Sequence, residues 1–385
     1  MSRSALSALH RFRPVPAAIA AVTAAVTAVA TAGVLAAWPA AAVPSAPRAG
    51  DPRSDTREHG APSGIGTLSD GWTTPWGISF LPDGDAALVT ERNTGEVWRA
   101  ALDGSKRRVG TVPNSVWSLE TQDKGGLLGV AVSPTWNGTT DRAVFFMETT
   151  ATDNRVVRMN FDGTSLSDYT PVLTGIRRDT QLNGGNVAFG PDGYLYVTTG
   201  DARLPQLAQD RNSLNGKILR ITRTGDPAPG NPFGTHVYSY GHRNPQGLAW
   251  DRDGKLWETE IGATTFDELN LIEPGANYGW PTCEGPCSKA GMTNPKRVWK
   301  PGEGGVPAQI AIVDDVIYAS TLRGRRLWVL PIDSTGRGVA AATSYYDRDH
   351  GRLRALVKVP GADELWLGTS DRGTDKDLIL KVTLK

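Results

Sequence analysis

The sequence predicts an all-β protein, a six-bladed β-propeller of four-stranded antiparallel blades. A turn followed by an alternating strand returns six times, and a second strand follows each copy. The chain is also rich in glycine (44) and carries 12 tryptophans, which suits tight hairpins and short strands better than helices. In order, the copies are Leu81-Pro82-Asp83-Gly84 before Ala87–Thr90, Ser133-Pro134 before Ala143–Phe146, and Gly190-Pro191-Asp192-Gly193 before Tyr194–Val197. Asp251-Arg252-Asp253-Gly254 then precedes Lys255–Trp257, Asp314-Asp315 precedes Val316–Tyr318, and Pro360-Gly361-Ala362-Asp363 precedes Glu364–Leu367. Asp bonds its own backbone in such turns and Gly accepts a positive φ, so each hairpin closes with little strain. The second strands are Gly95–Arg99, Arg155–Met159, Lys217–Ile221, Glu268–Ile272, Arg326–Leu330 and Leu378–Val382. A β-sandwich or two stacked β domains would also use alternating strands, but neither gives a reason for one turn to recur. A propeller has a central channel where loops converge, and the site is expected there. A strand near Thr67–Trp72 is expected to complete the last blade and close the ring.

Ahead of the repeats, Arg3, Arg11 and Arg13 precede an apolar run, Val15–Trp38, and then the small residues Ala40-Ala41-Ala42. That order reads as a secretory signal over residues 1–42, cleaved near Ala42. A retained membrane anchor is the alternative, since the run is long enough to span. Residues 43–69, rich in Pro, Ser, Gly and charge, read as a flexible linker, leaving 70–385 as the propeller. The expected location is secreted or extracytoplasmic, with no stable membrane span after cleavage. In such a compartment Cys283 and Cys287 read as a local disulfide. Two cysteines with no histidine nearby do not make a structural zinc site. Lys plus Arg (41) balances Asp plus Glu (40), so there is no basic footprint for nucleic acid.

Several ordered motifs carry a family resemblance. They are Pro75-Trp76-Gly77-Ile78, Gly125-Gly126-Leu127-Leu128-Gly129, Asn183-Gly184-Gly185, Tyr240-Gly241-His242-Arg243-Asn244-Pro245-Gln246-Gly247, Asp267-Glu268-Leu269-Asn270 and Asn277-Tyr278-Gly279-Trp280-Pro281. From about Pro75 to Lys381 the chain resembles the glucose/sorbosone dehydrogenase family, whose soluble members use pyrroloquinoline quinone (PQQ) and calcium. The resemblance implies oxidation of an aldose sugar or related alcohol, with electrons leaving to an external acceptor. The quinone is a flat tricarboxylate, and the guanidinium fork matches a carboxylate. By resemblance Arg243, Asn244, Arg323, Arg352 and Arg354 would hold it, while Arg325 and Arg326 read as solvated charges. Glu268 and the carbonyl of Tyr278 match a calcium pair, and calcium prefers oxygen donors.

The chain departs from the family at four places. The general-base His is replaced by Leu182, which cannot accept a proton, and the Arg of the same turn is Asn186. Lys124 stands where relatives carry Gln or Glu against the cofactor and, as an added cation suited to a carboxylate, is expected to bind it too, and Pro307-Ala308-Gln309 replaces a Ser-Gly pair. His350, just before Gly351-Arg352, is a weak candidate for a substitute base. Three readings follow: a sugar dehydrogenase with reduced or altered activity, a catalytically inactive exported propeller binding carbohydrate, cofactor or protein, and a lactonase. The lactonase fits less well, because it would want a carboxylate-lined metal where these motifs bring Arg.

Overall fold

The computed structural model describes residues 60–385 apart from 119, 121, 122 and 371. Within them six four-stranded antiparallel sheets follow one another along the chain. The recurrent turn occupies one place in every blade, between the innermost strand and the second. Gly84 N, Gly193 N and Gly254 N each close the turn at 2.9 Å on the carbonyls of Leu81, Gly190 and Asp251. In the fifth blade Asp314 and Asp315, with φ of 47° and 61°, form the two-residue turn between paired Val313 and Val316. That left-handed pair matches the right-handed twist of the flanking strands.

The repeats mark the two middle strands of each blade. The inner strands, Pro75–Phe80, Leu127–Val132, Val187–Phe189, Pro245–Trp250, Pro307–Val313 and Arg352–Lys358, together with the loops that enter them, hold most of the family motifs instead. Five of them break register with the second strand, as between Pro75 and Ile78 or Pro307 and Ile310. Such bulges re-aim side chains at the rim of a closed sheet. In four blades a hydroxyl of the second strand accepts from an inner-strand amide: Thr90 from Gly77 (2.9 Å), Thr198 from Asn186 (2.9 Å), Thr259 from Gly247 (3.1 Å) and Ser320 from Gln309 (3.1 Å). Three of these hydroxyls then donate to the next blade, at Leu128 O, Ala308 O and Arg354 O (2.6, 2.8 and 2.6 Å). One side chain thereby satisfies a bulge and welds two blades.

Apolar burial lies between the blades. Each interface has its own cluster, such as Leu88, Val97, Phe146 and Val157 between the first and second blades, or Trp257, Leu269, Ile317 and Leu330 between the fourth and fifth. The axis is left to polar groups.

The ring closes through Pro62–Trp72, which pairs antiparallel with Asp377–Leu384 in the last blade, for example Ile65 with Val382 and Thr67 with Leu380. The strand begins eight residues before the expected end of the linker, so residues 62–69 belong to the sheet. They pair because the free edge of Asp377–Leu384 offers unmet amides and carbonyls, which outweighs a Gly- and Ser-rich composition. The signal segment 1–42 and most of the linker lie outside the described residues. Among the described residues no helix is long and apolar enough to cross a membrane.

Candidate functional site

The loops that enter the inner strands, and the turns between second and third strands, meet at one end of the axis around a cavity of about 1150 Å³. Lys124, Arg243, Asn244, Arg323, Arg352 and Arg354 all line it, as does Leu182. Trp76 and Arg354 form its buried base, with the guanidinium 5.4 Å from the indole centroid. Arg354 Nη1 donates to Gln246 Oε1 (3.2 Å). Asn244 Oδ1 accepts from Gly184 N (3.0 Å), which ties the Asn183-Gly184-Gly185 turn to the neighbouring blade. Gly184 has φ +67°, and a Cβ there would lie 2.5 Å from Thr198 O, so glycine is required.

Two departures from the family pattern meet here. Asn186 Nδ2 donates to Gln309 Oε1 across the axis (3.0 Å), and both residues are buried. Neither amide is left unpaired, which at this depth would cost about 1–3 kcal/mol.

Other expectations fare differently. Arg326, read as a solvated charge, lines the cavity, bonds Asp347 at 2.9 Å and lies 5.7 Å over the Trp328 ring, while Arg325 is exposed. The indole and the aspartate hold Arg326 inward. His350 is outside the lining, half-buried and edge-on to Tyr346 at 5.9 Å, and burial lowers its pKa. No imidazole lines the cavity among the described residues. The Cys283–Cys287 disulfide is present. Its loop presents Glu284, whose Oε1 accepts from the amides of Ala263, Thr264, Thr265 and Phe266 (2.6, 2.8, 2.9 and 3.2 Å). Burial pushes the Glu284 pKa up, but these amides outweigh it and hold the carboxyl below its usual range. The cavity wall at 263–266 is thus pinned by a carboxylate from the disulfide loop.

Beneath Arg243 lies a buried acidic cluster. Glu260 Oε1 accepts from the backbone amides of Arg243 and of Asn244 (3.3 Å for the latter), and Oε2 meets His242 Nδ1 at 2.8 Å. His242 Nε2 lies 2.9 Å from Ser239 Oγ, and its ring stacks on Tyr278 at 4.7 Å. Ligand atoms of His242, Glu258 and Glu260 all fall within 4.8 Å of one another. Glu268 is paired in register with Glu260, and Asn270 Nδ2 bridges Glu258 and Glu268 at 3.1 Å each. Burial first, then the charge of Glu260, pushes Glu268 up to about 8 and Glu258 well above its usual value. Sequence reading missed Glu258 and Glu260. The signal was there: two Glu at period two inside the apolar strand Leu256–Glu260 must both be accounted for by buried partners.

Folded Glu268 binds a proton that the unfolded chain, near 4.5, has already lost. The stability from this group is full below pH 4.5 and lost as pH rises through about 8. In chelator the melting temperature is expected to fall between pH 5 and 8.5, with a shallower fall in Glu268→Gln. A flat profile in the native chain would contradict the burial of this carboxyl.

The sequence profile of the Glucose / Sorbosone dehydrogenase family matches residues 72–380. Among solved structures, the PQQ-bound aldose sugar dehydrogenase of Streptomyces coelicolor is 40% identical, with a TM-score of 0.78 over 84% of this chain and 100% of that one. An aldose sugar dehydrogenase of Escherichia coli is 32% identical over 56% of this chain, and quinoprotein glucose dehydrogenase B of Acinetobacter calcoaceticus is 32% identical over 55%. The match spans 61% and 51% of these two curated relatives' own length.

Proposed function

The chain belongs to the glucose/sorbosone dehydrogenase family, and from that premise we propose that it is an extracytoplasmic quinoprotein oxidising aldose sugars or related alcohols, with PQQ in the axial cavity and Ca²⁺ in the acidic cluster beneath it. The observation that carries this reading is the convergence of Arg243, Arg352 and Arg354 on one cavity based on Trp76. The fit is chemical: three guanidinium forks suit three carboxylates, and an indole suits a flat ring system. The quinone, when bound, supplies the two-electron acceptor. The chain's own part is to orient and to exclude. Arg243 is held in place by Glu260 at its amide and by the Ile261 and Gly262 carbonyls at Nη1. The pinned 263–266 wall shields one side of the site. Leu182 offers no acceptor for the substrate's hydroxyl proton, so turnover is slower than with an imidazole in place.

The acidic cluster fits calcium because its donors are oxygens and because Glu258 Oε1 and Asn270 Oδ1 are buried without a hydrogen-bond partner. Glu268, Glu258 and the Tyr278 carbonyl would hold the ion, which would offset the mutual repulsion of the carboxylates. The disulfide and the N-terminal segment support a location outside the cytoplasm.

Titration of the purified protein with PQQ and calcium tests the reading. A saturable absorbance change and a raised melting temperature are expected, since a ligand at about 100 times its Kd adds about 2.7 kcal/mol of stability. Dye reduction across a panel of aldoses then reads turnover. Absence of both uptake and dye reduction would rule the proposal out. Uptake without turnover favours a second reading, a cofactor-binding propeller without activity, for which Leu182 and the lack of a lining imidazole speak.

A further inference from the structure

The cavity carries far more positive charge than a tricarboxylate requires. Its lining holds two lysines and six arginines against two carboxylates, Asp267 and Glu284. Both carboxylates are committed to backbone amides. Asp267 accepts from Gly262 N (2.9 Å) and Val306 N (2.6 Å), and Glu284 takes the four amides of the 263–266 wall. Asp267 also feels the charge of Arg243, so what it offsets is an inner cation rather than the rim.

The cations fall into two tiers. Arg354 is buried and Arg243 and Arg352 are half-buried near the axis, while Lys124, Lys300, Arg323 and Arg348 are exposed at the rim. Lys300 and Arg348 come from different blades' loops. The Arg348 loop is fixed to the fifth blade by Arg348 N donating to Arg325 O at 2.7 Å. Asp347 is spent on Arg326 at 2.9 Å and stands only 3.9 Å from Arg348, whose side chain is 77% exposed. Glu303 Oε2 accepts from Lys300 N (2.9 Å) in the same loop, so the rim has carboxylates of its own, but Lys124, Lys300, Arg323 and Arg348 outnumber Glu303 and Asp347, and such an excess attracts anions into the cleft.

We infer that the rim tier, centred on Lys300 and Arg348, is a subsite for an anionic group on the sugar, so that the preferred substrates are aldoses bearing a carboxylate or a phosphate rather than neutral aldoses. This inference rests on the proposed sugar site and names its substrate class. The inner arginines hold the base of the cavity, and the substrate's charged end points outward to the rim, leaving its anomeric end toward the axis. Because the rim is exposed, the preference depends on ionic strength.

The test is calorimetric binding of glucuronate, glucose 6-phosphate and glucose to the quinone-loaded protein and to the protein alone, at 20 and 300 mM salt. Either acid is expected to bind about tenfold more tightly than glucose at low salt, with the advantage shrinking at high salt. In the charge-reversed double variant Lys300→Glu/Arg348→Glu, checked for an unchanged melting temperature, the acid-to-glucose affinity ratio is expected to fall to one or below. A preference for glucuronate over glucose 6-phosphate, or the reverse, assigns the carboxylate or the phosphate. Equal affinity for glucose and both acids would overturn the inference, as would a preference that survives charge reversal. PQQ uptake is read separately by absorbance, so loss of the cofactor reading and loss of the anionic subsite are distinct results.

Discussion

Leu182→His is expected to raise the rate of aldose oxidation by about 10²–10⁴-fold, the usual contribution of a positioned general base. The backbone is already suited to the exchange. Leu182 has φ +59°, in the left-handed region where His is found several-fold more often than most residues. Its carbonyl accepts from Ala202 N at 3.1 Å, so the loop is anchored whatever the side chain. The side chain lines the cavity beside Asn183 and Gly184, which places an imidazole in the site with no movement of the turn. The measurement is kcat with saturating PQQ, calcium and sugar, alongside the PQQ affinity. No gain in kcat at unchanged affinity would mean that the cavity does not present a sugar hydroxyl to position 182.

Glu260→Gln is expected to strike stability and cofactor binding together. The carboxylate takes the amides of Arg243 and Asn244 and the Nδ1 of His242, and it is 4% exposed. A carboxamide has one acceptor oxygen instead of two, so either the 243–244 backbone loses its partner or His242 must switch tautomer to accept from the new NH2, and the buried charge is lost in both cases. Breaking a buried charged network of this kind costs about 3–5 kcal/mol, read by denaturant unfolding. Arg243→Ala is expected to behave differently. It would remove the proposed charged hydrogen bond to the quinone, worth about 1.5–3 kcal/mol or roughly 10–150-fold in affinity, while leaving the Glu260 contacts to the backbone. If Arg243→Ala leaves PQQ affinity unchanged, Arg243 is a wall residue and not a cofactor ligand.

The arrangement ties the pieces of the site to one fourth-blade unit. Glu260 fixes Arg243 from below, Asp267 fixes Gly262 and Val306, and Glu284 fixes the 263–266 wall. Calcium in the cluster beneath would stiffen the same unit, so its removal is expected to weaken PQQ binding at a distance.

What the sequence determined by itself is what local chemistry encodes. A Pro-Asp-Gly turn closes by its own hydrogen bonds, and alternation declares a half-buried strand, so the six copies announced the blades and their middle strands. The motif around Tyr240–Gly247 likewise pointed to Arg243 and Asn244, which line the axial cavity, because family identity is written in contiguous residues. The tertiary structure alone decided what meets across the ring. Asn186 and Gln309 stand 123 positions apart and looked like two separate departures, yet they form one hydrogen bond. Only the strand register brought Glu258 and Glu260 into one buried cluster with Glu268, the one of the three that the sequence marked for calcium. Arg326 read as solvated until closure brought it to the cavity lining. The reason is geometric: contacts at the axis are set by how six sheets close on one another, and which side chains meet there is written in no short stretch of chain.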